Sequence, residues 1–157
     1  MNIFLERHQK LLSSLLQHEV AFIIIGGYSV IDHCYKRTTG DVDIWLKPDN
    51  ENRDRLINVL QKFDLDKSSI HNIASLDFTK QLVISIWEEP EKVDFLSYIN
   101  SVNYPEADKQ KEIAEIDGLQ IPFLNLDHLI LSKINTGRTQ DKADVEELQK
   151  TNRFRKS

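Results

Sequence analysis

Two aspartates stand two residues apart in the run Asp41-Val42-Asp43-Ile44-Trp45-Leu46. In an extended strand successive side chains alternate faces, so these two carboxylates point the same way, roughly 6.5 Å apart along the chain, while Val42 and Ile44 turn to the core. Aspartate is depleted in strands, and two on one face repel unless a cation or solvent relieves them. Mg²⁺ suits such a pair, since it binds through one or two carboxylates together with substrate phosphates. A phosphate cradle is legible just upstream. Gly26-Gly27 permits a tight turn and the close approach of a ligand, and the N–H groups of Tyr28 and Ser29, opening the segment that follows, are free to donate to phosphate oxygens. Taken singly, acids at a strand end are usually solvated and a glycine pair usually only reverses the chain. Joined in this order and spacing, they point to phosphate chemistry.

The elements that must position these groups are readable around them. Ala21 to Ile25 is a short apolar run rich in β-branched residues and reads as a buried strand. The glycine turn follows, then a short helix over Tyr28 to Tyr35, which Arg37-Thr38-Thr39-Gly40 breaks before the acidic strand. His33 and Cys34 on that helix read as packing residues.

This arrangement resembles the signature of the DNA polymerase β-like nucleotidyltransferases: an apolar strand, Gly26-Gly27, thirteen intervening residues, then Asp41-Val42-Asp43-Ile44. It is most similar to the small bacterial members, whose connecting segment looks like Arg37-Thr38-Thr39-Gly40-Asp41-Val42-Asp43. The resemblance implies an α/β fold of the α+β kind, a mixed sheet flanked by helices, and a third carboxylate on a later strand. It covers most of the chain, its specific part being Ile25 to Ile44 plus Asp94.

The remainder of the chain supplies a place for that third acid. Asn2 to His18 carries Phe4, Leu5, Leu11, Leu12, Leu15 and Leu16 at largely helical spacing, and Asn52 to Phe63 does the same through Leu56, Val59, Leu60 and Phe63. Ser68-Ser69 is a candidate cap for a short helix reaching Leu76. Leu82 to Trp87 reads as a strand, Glu88 to Glu91 as a turn and Lys92 to Leu96 as the returning strand of a hairpin. Asp94 lies inside that apolar return strand, where an acid is costly to bury unless paired or metal-bound, and is therefore the candidate third ligand. Asp77 is the alternative, in a segment without a strand pattern.

Further on, Asp117-Gly118 between Glu112–Glu115 and Leu119–Leu124 signals a small antiparallel ribbon. Asn125 or Asp127 caps a helix to about Asn135, with Leu126, Leu129, Ile130 and Ile134 on its apolar face and Gly137 ending it. A last helix near Thr139 to Lys150 carries Ala143, Val145 and Leu148 inward. Lys133, Arg138, Asp141 and Asp144 gather at this corner; the resemblance implies cations near the nucleotide phosphates, whereas the residues alone equally describe surface ion pairs.

Composition narrows the class. The chain of 157 residues, 40% hydrophobic and 29% charged, fits one globular domain, with residues 1–100 as the catalytic core and 101–157 as the hairpin and C-terminal helices. A net charge of −5 argues against a uniformly basic nucleic-acid surface, the local Arg153-Phe154-Arg155-Lys156 tail notwithstanding. One cysteine excludes an internal disulfide and a cysteine-rich zinc site, and the five histidines lack metal-ligand spacing. No apolar run approaches the ~20 residues of a membrane span, and Glu6 and Arg7 interrupt any signal peptide, so a cytoplasmic protein without a membrane partner is expected.

The expected activity is Mg²⁺-dependent transfer of a nucleoside monophosphate from an NTP, ATP among the candidates, to an acceptor hydroxyl, with pyrophosphate leaving. Asp41, Asp43 and Asp94 would hold two Mg²⁺ ions; Gly26, Gly27, Tyr28 and Ser29 would cradle phosphates; Arg37 or Lys133 would neutralise charge on the leaving group. The acceptor stays open between a small molecule such as an aminoglycoside or lincosamide, a protein hydroxyl and a tRNA end. An alternative is a non-catalytic module that binds a nucleotide or a cognate protein partner, as in a toxin–antitoxin pair.

Overall fold

The computed structural model describes residues 4–25 and 42–134, together with 143, 145, 146 and 149. Among the described residues a single six-stranded sheet runs in the order β3-β4-β2-β1-β6-β5. The strands are β1 (Phe22–Ile25), β2 (Val42–Leu46), β3 (Val83–Ile86), β4 (Val93–Leu96), β5 (Glu112–Ile116) and β6 (Leu119–Phe123). The helices are α1 (Glu6–Gln17), α2 (Asn50–Leu60), α3 (Lys67–Ala74), α4 (Tyr104–Gln110) and α5 (Leu126–Lys133). Ala143, Val145, Glu146 and Gln149 are helical as well. The sheet is mixed: β2 runs antiparallel to β1 but parallel to β4, and β6 runs parallel to β1.

Period-two alternation sends each strand's residues to two separate cores. On one face, Ile24, Ile44, Phe95 and Ile84 meet Leu11, Leu12 and Leu15 of α1, Leu56, Val59 and Leu60 of α2, and Ile73 of α3. On the other, Ile23, Ile25 and Trp45 pack under Tyr104 and Ala107 of α4 and Leu126, Leu129 and Ile130 of α5, with Val145 at the margin. The result is a three-layer sandwich with helices on both faces.

Local chemistry sets the element ends. Asp49 caps α2 by accepting from the Asn52 N–H at 2.7 Å. Asn52 itself, 2% exposed, accepts from the Ala21 N–H at 2.8 Å and donates to the carbonyls of Ala21 at 2.9 Å and Lys47 at 3.2 Å. It thereby ties the entry of β1 to the exit of β2. α3 is capped by Asp66, which accepts from the Ser69 N–H, rather than by the expected Ser68-Ser69 pair. A carboxylate one turn ahead of Ser69 outcompetes a hydroxyl already inside the first turn.

The Asp117-Gly118 hairpin forms with positive φ at both residues, +52° and +81°, but it is not a separate ribbon. Its second strand joins the main sheet beside β1, where the Leu124 N–H donates to the Ile24 carbonyl at 3.1 Å. Asn125 is the cap of α5, accepting from the His128 N–H at 2.8 Å. α4 was not expected from the sequence; Asn103 caps it from the Glu106 N–H at 3.0 Å, with Pro105 in its first turn. The helices expected over Tyr28 to Tyr35 and most of Thr139 to Lys150, and the Gly137 stop, lie outside the described residues. Among the described residues no helix is long and apolar enough to cross a membrane.

Candidate active site

The register of the sheet assembles a polar row across one edge. Asp43 on β2 pairs directly with Asp94 on β4, and Asp94 pairs with Ser85 on β3. On its other side Asp43 pairs with Ile25, the last residue of β1 before Gly26-Gly27. Residues directly paired across strands point to the same face, so Ser85, Asp94, Asp43 and Ile25 form one line across four strands. Adjacent strands lie about 4.8 Å apart, which sets the two carboxylates side by side. The β2 and β4 backbones hold this register tightly, since the Val42 N–H donates to the Lys92 carbonyl at 3.2 Å just ahead of the acids.

The row grades from polar to apolar. Ser85 is exposed, Asp94 and Asp43 are partly buried and Ile25 is buried. Ser85 Oγ donates to Asp94 Oδ1 at 2.5 Å, and Lys92 Nζ stands 4.0 Å from the same oxygen. The hairpin that brings these groups together is anchored at its turn. Arg7 lies over the Trp87 ring at 4.7 Å and reaches Glu91 at 3.4 Å, while His8 Nε2 donates to the Glu91 carbonyl at 2.9 Å. Phe63 meets the Trp87 ring edge-on at 5.6 Å. Through these contacts α1 and the segment that follows α2 fix the turn from which β4 delivers Asp94.

Asp77 stands elsewhere. It accepts from the Thr79 N–H at 3.0 Å and Thr79 Oγ1 at 2.7 Å, and from Asn50 Nδ2 at 3.3 Å, beside the start of α2. The hydrogen bonds from Thr79 hold its carboxyl below the usual carboxylate range. β2 runs from Asp43 toward α2, so Asp77 is a turn residue at the opposite end of that strand. Lys133 occupies the last turn of α5, whose Ile134 carbonyl accepts from Asn100 Nδ2 at 3.3 Å in the loop leaving β4. Asp41, Gly26, Gly27, Tyr28, Ser29 and Arg37 lie outside the described residues, as do Arg138, Asp141 and Asp144.

Two carboxylates in register form a hard, all-oxygen donor set of the kind Mg²⁺ accepts. Among the described residues no three His, Cys, Asp or Glu side chains gather as a metal site. A Mg²⁺ site on this edge is therefore a pair that fits the ion's chemistry and leaves coordination positions to phosphate, water or a further acid.

Ser85 and Lys92 were not singled out from sequence, yet the signal existed. A hairpin with strands at 82–87 and 92–96 closing on a four-residue turn pairs positions symmetrically, which matches residue 85 to residue 94. Likewise Asn103, Pro105 and Glu106 spell a helix start.

A family model described as nucleotidyl transferase of unknown function (DUF2204) matches residues 4–156. A sequence search of curated proteins gives no match. Solved structures are similar over nearly the whole chain. A proposed nucleotidyltransferase (TM1012) from Thermotoga maritima aligns with a TM-score of 0.56 at 16% identity, covering 99% of this chain and 94% of that one. The lincosamide antibiotic adenylyltransferase LnuA, in its lincomycin-bound form, aligns at 0.55 and 16%, covering 96% and 99%. The antibiotic-resistance factor ANT(2'')-Ia aligns at 0.53 and 13%, covering 94% and 90%. At these identities the likeness is one of fold.

Proposed function

We propose, from the premise that this chain belongs to the nucleotidyl transferase family DUF2204, that it transfers a nucleoside monophosphate from an NTP to an acceptor hydroxyl. The acceptor oxygen attacks the α-phosphorus, the bond to the bridging oxygen breaks, and pyrophosphate leaves. The observation that carries this reading is the in-register pair of Asp43 and Asp94, on the sheet edge where β1 ends at Ile25 beside Asp43.

Asp43 and Asp94, with Asp41, are the residues that would hold two Mg²⁺ ions, which when bound supply charge stabilisation for the attacking and leaving oxygens. Asp94, on the strand nearer the sheet's edge, would accept the proton of the acceptor hydroxyl. Gly26, Gly27, Tyr28 and Ser29 would bind the β- and γ-phosphates through backbone N–H groups and the serine hydroxyl. Arg37 or Lys133 would offset the charge that grows on pyrophosphate. Because this chemistry is mostly positioning and electrostatics, a short set of residues on a rigid sheet suffices.

A small-molecule hydroxyl is the acceptor we favour, because two of the similar structures are antibiotic-modifying or antibiotic-resistance proteins of near-equal length. Incubating the protein with each labelled NTP, Mg²⁺ or Mn²⁺, and fractionated cell extract tests the reading. Release of pyrophosphate with label in a small-molecule fraction is expected; label in protein or tRNA would move the acceptor class. Tight NTP binding without turnover across all four nucleotides would overturn transfer in favour of a binding module.

A further inference from the structure

We infer that Ser85 is a positioning residue for Asp94, turning one carboxylate oxygen of Asp94 toward Asp43 and so toward the metal and acceptor that the reading above requires. This rests on that reading for its chemistry but on separate geometry for its claim. β4 lies between β3 and β2, so Ser85 and Asp43 flank Asp94 on opposite sides in one row. Among the described residues, the Ser85 hydroxyl at 2.5 Å and the Lys92 ammonium at 4.0 Å both meet the Asp94 carboxylate at Oδ1. An oxygen bonded to Ser85 is drawn toward β3. Its partner Oδ2 is then carried toward β2, where Asp43 stands.

A carboxylate free to rotate presents either oxygen at any angle, and a cation shared with a neighbouring acid requires one oxygen held in place. A hydroxyl donating to an ionised carboxylate makes a short, strong hydrogen bond that fixes the rotamer. Ser85 is exposed on the edge strand, on the same side as Asp94, while its neighbours Ile84 and Ile86 are 8% and 5% exposed on the sealed face, so alternation holds the Ser85 hydroxyl toward the carboxylate. Partners of this kind, one bond behind a metal ligand, shift affinity or rate by about 10–100-fold when removed.

The test compares Ser85→Thr with Ser85→Val, two β-branched side chains of one shape that suit a strand and differ only in the hydroxyl, with Ser85→Ala as a second variant lacking it. Mn²⁺ binding in the presence of ATP is read by electron paramagnetic resonance, and transfer by pyrophosphate release. In Ser85→Val and Ser85→Ala we expect Mn²⁺ to bind about 10-fold more weakly and kcat to fall similarly with little change in the KM for NTP, while Ser85→Thr stays near the parent. Equal Mn²⁺ affinity and kcat in Ser85→Val and Ser85→Thr, in a parent that transfers, would overturn the inference and leave the function standing. A parent that binds Mn²⁺ and never transfers, with the hydroxyl-dependent loss of Mn²⁺ intact, would overturn the function and leave Ser85 its role. A parent that neither binds Mn²⁺ with ATP nor transfers would overturn both.

Discussion

Two rows of side chains cross the same strands one residue apart and face opposite ways. Ile84, Phe95, Ile44, Ile24 and Phe123 form one, paired strand to strand and each no more than 8% exposed, beneath α1, α2 and α3. Ser85, Asp94, Asp43 and Ile25 form the other. The first is continuous apolar core, which a sheet covered by helices requires on that face. The second breaks the rule at three consecutive positions, and the next row on its own face, Leu96, Trp45 and Ile23, obeys it again. Polarity here is thus local to one end of one face. Strand packing does not call for two adjacent carboxylates, which oppose one another, and a loss of stability of this kind is what the proposed site would require of the row.

The strongest way to break this contrast uses neighbours on one strand. Phe95→Ala removes a fully buried ring and should cost about 3–5 kcal/mol in urea denaturation. Asp94→Asn should leave the midpoint almost unchanged, or raise it slightly by relieving repulsion, while transfer falls by about 100-fold or more. If Asp94→Asn unfolds the protein as badly as Phe95→Ala, the polar row is structural and the contrast is lost.

A second change sharpens it from the far end of the sheet. Asn52→Ala strips hydrogen bonds from the Ala21 N–H and the Ala21 and Lys47 carbonyls, an expected cost of about 2–3 kcal/mol. Transfer per folded molecule should not change, because Asn52 joins the ends of β1 and β2 remote from Asp43. A matching loss of rate in folded protein would show that the two ends are coupled.

The apolar half of the site's own face gives a smaller effect. The Tyr104 hydroxyl is buried and has no hydrogen-bond partner among the described residues, and the Tyr104 ring meets that of Trp45 edge-on at 5.1 Å. Burial, with the charges of Asp108 and Asp49 adding to it, pushes its ionisation well above the ordinary value of 10.0. A raised pKa means this residue's contribution is complete below pH 10 and is lost as pH climbs above it, where the unfolded chain ionises first. Tyr104→Phe should therefore be neutral or slightly stabilising at pH 7 and should flatten the alkaline fall in melting temperature. A large loss at pH 7 would mean the hydroxyl has a partner in solution.

The smallest effect falls on turns outside both rows. Hydrogen bonds from Ser69 and Thr79 depress the carboxyls of Asp66 and Asp77 below 3.8. A depressed pKa gives stability that is present above the unfolded value and lost as pH falls below about 4. The melting temperatures of Asp66→Asn and Asp77→Asn should lie slightly under the parent at pH 7 and converge on it in acid, with transfer unaffected. Loss of metal-dependent transfer in Asp77→Asn would make it a ligand after all.

Composition and periodicity were enough to read most of this fold. The runs at Phe22–Ile25 and Val42–Leu46, the amphipathic α1 and α2, the Asp117-Gly118 turn and the Leu82–Leu96 hairpin all announce themselves, because each depends on local spacing or on one residue's backbone preference. α4 escaped because seven residues rich in charge have little apolar stripe, and its Asn103 cap is a weaker cue. The Asp66 cap escaped because a serine pair and an acid next to each other compete for one N–H. The chain itself also determined that Asp43 points away from Ile44, since alternation along a strand is a property of the backbone. What it could not determine is which strands become neighbours. Asp43 and Asp94 are separated by fifty intervening residues and meet only because β4 docks parallel to β2 in one register, while β6 inserts beside β1 from later still. A one-residue slip in that docking would send Asp94 to the opposite face, into the apolar core row, so burial of Phe95 on one side is the physical reason that Asp94 stands beside Asp43 on the other.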